Sequence, residues 1–350
     1  MYEKIEGVPR LLMNVELKPV QGDRFQPTGF ADLGAAVYER PNGPRMLLVE
    51  SAQSVANRLE HACLHGNGPR LAPQLDGLPY ILVKLTGAAE AETSSLVEAH
   101  RINSPFIISD LGFREAFTKA TGYAKGKPIE WSKIAGALFR QDPNSLLHGV
   151  FMANYEDGRI RVPRMLTGFI EAEDIREAAS GGVKNNPLDP SGSIRAANYD
   201  KNVYGNVPYS RMEYTAKRIT AYFNMDLSLL DGFGLERDAC DLLVSLGLYK
   251  IRRFLNGGLR LRTACDLAPQ GEVQITSPPG FVLPDEPQLL AAVQRSIKAC
   301  GSKGLFAKPP VTQITTEVVL KKAGEDRSGE SNQREVKDEK GSGETAESDE

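Results

Sequence analysis

The sequence predicts an α+β fold, and three observations predict it. Alternating and helical hydrophobic patterns succeed one another as strand, helix, strand, then a long excursion, then strand, helix, strand. The 33 glycines and 22 prolines of the 350-residue chain mark many turns, which suits one core carrying insertions better than a compact bundle or barrel. With 41% hydrophobic residues, the chain has enough apolar side chains for a sizeable core.

Residues 10–20 alternate Leu11, Met13, Val15 and Leu17 with Leu12, Asn14, Glu16 and Lys18, the period of a half-buried strand. Residues 46–49 are a short apolar run read as a second strand. Residues 51–64 then space Ala52, Val55, Ala56, Leu59, Ala62 and Cys63 along one helical face, with Gln53, Ser54, Asn57, Arg58 and His61 largely off it. Residues 80–85 read as a strand and residues 111–121 and 131–141 as helices. Residues 148–162 read as a hairpin turning at Asp157 and Gly158.

Residues 180–211, rich in Gly, Asn, Ser and Pro, lack periodicity and predict a long loop or projecting arm. A strand follows at 213–225. A helix is expected at 235–255, with Gly247 a candidate break, and a strand at 259–265 carrying Arg260 and Arg262 on one face. A short strand at 273–276, a helix at 285–300 and a strand at 311–320 complete the ordered part. This order is compatible with a split βαββαβ, ferredoxin-like core. It makes residues 1–322 one domain, with a helical insertion at about 66–145 and the arm or thumb at about 180–211. Residues 323–350 are nearly devoid of apolar side chains and are expected to form a disordered acidic tail.

The formal net charge of −3 averages two unlike regions. The tail holds 10 acidic and 4 basic residues; taken from totals of 45 and 42, these leave 35 acidic and 38 basic residues before it. Binding a polyanion needs local positive density rather than a high overall charge, so nucleic acid is permitted, not required. Cys63, Cys240, Cys265 and Cys300 are far apart and read as isolated buried thiols of a reducing cytoplasm. Residues 1–10 lack the apolar run of a signal peptide and no segment approaches 18 apolar residues, so a cytoplasmic protein without membrane contact is expected.

Enzymatic signatures are sparse. There is no phosphate-cradling P-loop pattern, nucleophile elbow or HExxH, and neither GNG at 66–68 nor GFG at 232–234 completes a dinucleotide fingerprint. His61, Cys63 and His65 lie close together, but Cys63 points away from the two histidines and no fourth ligand follows. No metal and no cofactor is expected. Asp23 and Asp32 flank a Gly- and Pro-containing loop and have two readings, as turn-shaping residues or as carboxylates for RNA cleavage.

Three segments suit a polyanion better. In residues 21–30, Arg24 offers a phosphate fork, Gln21, Gln26 and Thr28 offer hydrogen bonds, and Phe25 and Phe30 offer rings for base stacking. In residues 48–61 a strand delivers Ser51, Gln53, Ser54, Asn57 and Arg58 at the start of a helix, where backbone N–H groups are also available. The third combines residues 247–262, which hold Lys250, Arg252, Arg253, Arg260 and Arg262 without an acid, with the arm. There Lys184, Arg195, Lys201 and Arg211 interleave with Tyr199, Tyr204 and Tyr209. Each has a plain alternative: an inward-packed aromatic, a capped helix face, a solvated surface.

The run RLLMNVELKPVQGDRFQPTGFADLGAAVYE followed by LLVESAQSVANRLE resembles the N-terminal signature of type I-G (formerly I-U) Cas-seven proteins of the RAMP superfamily. EAHRINSPFI at 98–107, residues 206–230 and the segment ending LRLRTACDL are similar to the same family. The resemblance implies an RRM-like palm with insertions. It implies a non-catalytic subunit that assembles with copies of itself along crRNA in a Cascade complex serving antiviral defence, each copy's thumb kinking the guide. Implied partners are the target DNA strand, a large subunit and a Cas-five/Cas-six-like subunit. Carried over by position, Gln21, Arg24, Gln26, Ser51, Gln53, Ser54, Asn57 and Arg58 hold the guide backbone, with Arg101 and Asn103 as further candidates. The alternative from another class is a metal-dependent endoribonuclease of the same superfamily cutting target RNA through Asp23 or Asp32.

Overall fold

A computed structural model describes residues 1–30, 33–194 and 205–320. Asp32, Arg195, Tyr199, Lys201, Tyr204 and the tail at 323–350 lie outside the described residues. The first half of the chain contains β1 (Arg10–Pro19), β2 (Gly29–Phe30), β3 (Gly34–Ala35), β4 (Val37–Glu39), β5 (Arg45–Glu50) and α1 (Ala52–His61). It continues through β6 (Tyr80–Gly87), β7 (Ala91–Ser94), α2 (Pro105–Ile108), α3 (Leu111–Thr121), α4 (Trp131–Gln141) and α5 (Asn144–His148). A small hairpin of β8 (Val150–Phe151) and β9 (Arg161–Val162) leads into the long strands β10 (Leu166–Lys184) and β11 (Val207–Asp226). Then come α6 (Leu227–Gly232), α7 (Arg237–Asn256), β12 (Leu259–Arg262), β13 (Cys265–Pro269), β14 (Gln274–Ser277), α8 (Glu286–Ser302) and β15 (Val311–Val318).

The main sheet runs β12-β13-β1-β11-β10-β5-β4, with β14 also pairing β1, and its pairs are antiparallel. Its inward face follows from the period of two. Leu11, Met13, Val15 and Leu17 are buried and stand opposite Met225, Phe223, Ala221 and Ile219 of β11. On the far side of β11 the same row continues through Leu166, Gly168, Ile170 and Ala172 of β10. A second sheet, β15-β6-β7, sets the last described strand beside β6 in a parallel pairing.

Helices cover the apolar face where its side chains are smallest. A Cβ on Gly168 would stand 2.8 Å from the Phe223 ring, 3.0 Å from Tyr222 O and 3.0 Å from Val55 Cγ1, so this glycine lets α1 lie close on β10. Gly247 serves α7 in the same way, its missing Cβ leaving space for Met225. The expected break at Gly247 does not occur: α7 runs unbroken because packing, not flexibility, is what the glycine provides. No helix of the described residues is long and apolar enough to cross a membrane.

The arm is also corrected. Residues 180–184 and 207–211 are not irregular loop but the outer part of a paired ribbon, in register from Leu166↔Met225 to Lys184↔Val207. β1 pairs β11 only as far as Ile219, and β5 pairs β10 only as far as Glu173. Beyond that point, at Asp174 with its φ of 52°, the ribbon continues as two strands, met among the described residues by the isolated Phe25–Tyr214 bridge alone. The strand expected at 259–265 is a hairpin of β12 and β13, because Thr263 and Ala264 turn the chain.

Gly168→Ala is expected to destabilise the fold by about 1–3 kcal/mol through overpacking. Urea unfolding midpoints measured on the two chains check this.

Candidate nucleic-acid interface

One buried carboxylate organises this region. Glu50 ends β5 with no exposed surface. One of its oxygens accepts from the Ser54 hydroxyl and, at 2.7 Å, from Arg58 Nε; the other pairs with Arg262. A carboxylate survives such burial only when cations and hydrogen bonds compensate for lost water. Both guanidiniums then reach further. Arg58 Nη2 donates to Leu261 O at 2.8 Å, and Arg262 donates to Gln26 O at 3.1 Å and Val49 O at 3.0 Å.

The loop after β1, the start of α1 and the hairpin at β12 are thereby tied together. The loop is fixed along its length as well. Phe25 and Tyr214 exchange backbone hydrogen bonds of 2.9 Å, Gln26 N donates to Ala264 O, and Thr28 N donates to Val49 O. Ser51 caps α1, its hydroxyl accepting from Ser54 N at 3.2 Å. Beside this junction opens a cleft of about 750 Å³ lined by Asn57, Arg58 and His61 of α1 and by Arg253, Gly257 and Leu261. Burial pushes the nearby Cys265 thiol up to about 11, so it stays protonated at neutral pH.

The loop, the helix start and the 247–262 part of the basic segment therefore meet, while Lys184 of the arm lies at the outer end of the ribbon. The side chains divide into two groups. Gln21, Gln53, Asn57, Lys184 and Arg260 are exposed, and Arg24 is 57% exposed with Glu213 3.7 Å away. Gln26, Ser51 and Ser54 are half-buried. Arg58 and Arg262, at 31% and 21% exposure, are held by Glu50 and brace the junction. Arg101 is 12% exposed and pairs with Glu60 at 2.5 Å.

Several expectations are corrected. Asn103 is buried, with its amide oxygen accepting from Asn154 N at 3.1 Å, rather than presented on the surface. Phe25 lies in the core and offers no face to a base. Lys250 is buried and donates to Asn144 and His148, and Arg252 is spent on the carbonyls of Leu283 and Pro284. Cys63 faces the core while His61 and His65 are exposed. Asp23 is exposed on the loop. Sequence reading missed Arg161, Arg164 and His148; the run RIRVPR at 159–164, three arginines without an acid, was the available signal.

The family described as CRISPR-associated protein GSU0053 matches residues 11–177, a segment that holds the loop after β1, α1 and Arg101. No curated protein matches the chain. Among solved structures, the chain is similar to one titled CRISPR RNA-guided surveillance complex, pre-nicking, at 13% identity over 85% of each chain, with a TM-score of 0.41. A second, titled CRISPR RNA-guided surveillance complex, is 11% identical over 84% of this chain and 83% of that one, with a TM-score of 0.35. The crystal structure of Thermofilum pendens Csc2 is 8% identical over 84% and 76%, with a TM-score of 0.27.

Glu50→Gln removes the charge that two guanidiniums share in the interior and is expected to cost about 3–5 kcal/mol. Chemical denaturation of the variant beside the parent measures it.

Proposed function

We propose that this chain is a non-catalytic, crRNA-binding backbone subunit of a type I-G CRISPR surveillance (Cascade) complex. In this reading it polymerises along the guide and presents it for pairing with invading DNA. The observation that carries the reading is the convergence of the loop at 21–30, the helix start at 48–61 and the basic stretch at 247–262 on one junction, the first two within the stretch matched by a CRISPR-associated family. Arg24, Gln53, Asn57 and Arg260 are its exposed contacts to ribose and phosphate, and Arg58 and Arg262 hold them in place.

The chain order β1, α1, β10, β11, α7, β13 combined with the spatial order β13-β1-β11-β10 supports a split βαββαβ, RRM-like palm. The two-stranded ribbon beyond Asp174 supports the thumb, and its apolar side chains Val183, Val207, Tyr209 and Met212 are exposed, as a wedge against a neighbour or a base requires. In this reading strands β6 and β7 and the helices α2 to α5 make up the insertion at about 66–145.

Such a subunit needs contacts blind to sequence, because guides vary while their backbone does not. Backbone hydrogen bonding and a steric wedge meet that need, and base pairing reads the target. Weak sites on successive copies add through effective concentration, so one copy is able to bind weakly and still serve.

Expression with its operon neighbours is expected to yield a particle carrying short repeat-derived RNA; a particle free of such RNA refutes the reading. Regular Mg²⁺-dependent cuts in target RNA, lost in Asp23→Ala, would replace it with the endoribonuclease reading. Removing one phosphate contact with Arg24→Ala or Arg260→Ala is expected to flatten the slope of log K against log salt by about 0.7 for single-stranded RNA. Fluorescence anisotropy across a salt series measures that slope.

A further inference from the structure

A second cleft, of about 620 Å³, is bounded by the β8–β9 hairpin and the turn at 99–103, and three arginines line it: Arg101, Arg161 and Arg164. Glu60 neutralises Arg101. Among the described residues, Arg161 and Arg164 have no carboxylate partner. Arg164 donates only to uncharged oxygens, Ala52 O at 3.4 Å and Gln53 Oε1. Arg161 lies over the Phe151 ring, 4.1 Å from its centroid. Burial, and then the neighbouring Arg101, lower the Arg164 pKa, only partly opposed by Glu60.

His148 lines the same cleft and is itself wholly buried. Its Nε2 lies 2.6 Å from Lys250 Nζ, which also donates to Asn144 Oδ1 at 2.6 Å. Asn144 Nδ2 donates to Asp142, so its oxygen is left to face the lysine. Lys250 therefore gives a hydrogen to Nε2, and a neutral imidazole carries its one proton at Nδ1. Burial, with Lys250, Arg101 and Arg164 nearby, holds the imidazole pKa well below its usual range, so it is neutral. Among the described residues, the Nδ1 atom has no hydrogen-bond partner. A buried N–H without an acceptor, next to two uncompensated guanidiniums, is costly unless an anion completes the group.

We infer that this cleft is a phosphate site, in which His148 Nδ1–H and the Arg161 and Arg164 guanidiniums donate to the oxygens of one phosphate group. Two forked cations and one neutral donor match a tetrahedral oxyanion that accepts from several directions. The exposed ring of Phe151 at the rim, with a guanidinium plane stacked on it, adds a flat surface of the kind a nucleobase adopts. A nucleotide thus supplies the phosphate, either as an internal phosphodiester or as a terminal phosphate. The site goes beyond the guide-binding reading and does not depend on it.

The test uses the full chain labelled with ¹⁵N-histidine, with His148 assigned among the four histidines by substitution. Its imidazole is expected in the Nδ1–H tautomer, and finding the Nε2–H tautomer overturns the inference. Inorganic phosphate and a short oligouridylate lacking a terminal phosphate are titrated separately. A saturable shift of the His148 nitrogen with phosphate alone assigns a terminal-phosphate site, and a shift with the oligouridylate assigns a phosphodiester site. Arg164→Gln is expected to weaken either response about tenfold. Arg161→Gln, at an exposed position expected to leave folding intact, is expected to weaken it about fivefold. A His148 signal that neither probe moves overturns the site, and if RNA still binds to that chain the guide-binding reading survives. A phosphate response in a chain that retains no RNA does the reverse.

Discussion

The structure around the candidate interface depends on the desolvation of one carboxylate. Glu50 sits where β5 gives way to α1, shut off from water, and its charge has to be met from within the protein. Arg58 approaches from the helix that follows it, and Arg262 from a hairpin more than two hundred residues later. Each guanidinium has hydrogens to spare, and these go to the backbone carbonyls of Leu261, Gln26 and Val49. An electrostatic necessity in the interior thus fixes the positions of three surface segments. Exposed ion pairs elsewhere, such as Arg70 with Glu92, carry no comparable structural consequence.

Much of the architecture was legible because its strands and helices obey simple periods. β1 shows four buried side chains at alternate positions. Helices α1, α3 and α8 start at capping residues where helical spacing puts them, with Asp285 forming a full capping box with Gln288, and α4 follows its spacing alone. β10 escaped notice for a physical reason. Two of its inward positions are Gly168 and Ala172, so the alternation is muted, and its Glu- and Ala-rich composition resembles a helix. A partner strand overrides that preference. Gly247 misled for the opposite reason, since nothing local distinguishes a glycine that breaks a helix from one that lets a methionine pack against it.

The site was legible as segments but not as roles. Sequence located the loop, the helix start and the basic stretch, yet it gave no means of separating cations that brace the fold from cations that face outward. Arg58 and Arg262 went to Glu50, Lys250 went into the core, and Arg24 and Arg260 remained outside. That division is set by acceptors distant in sequence, such as Gln26 O and Asn144 Oδ1, whose positions follow only from the completed fold. The same reasoning explains His148: its tautomer is dictated by a lysine one hundred and two positions away.

Once the ribbon leaves its flanking strands at Asp174, each of its two long margins presents backbone amides and carbonyls that no third strand among the described residues takes up, apart from the Phe25 bridge. Bare margins of that kind attract other chains indiscriminately unless charge or twist interrupts them. Arg45 with Glu177 near the base, Arg211 with Glu213 opposite Ser180, and exposed Lys184 at the outer end place such charges along the ribbon, with Gly181, Gly182 and Val183 the uncharged run between. The ribbon is therefore guarded at its root and at its outer end, which leaves only a short glycine-rich run on β10 open to a stray strand.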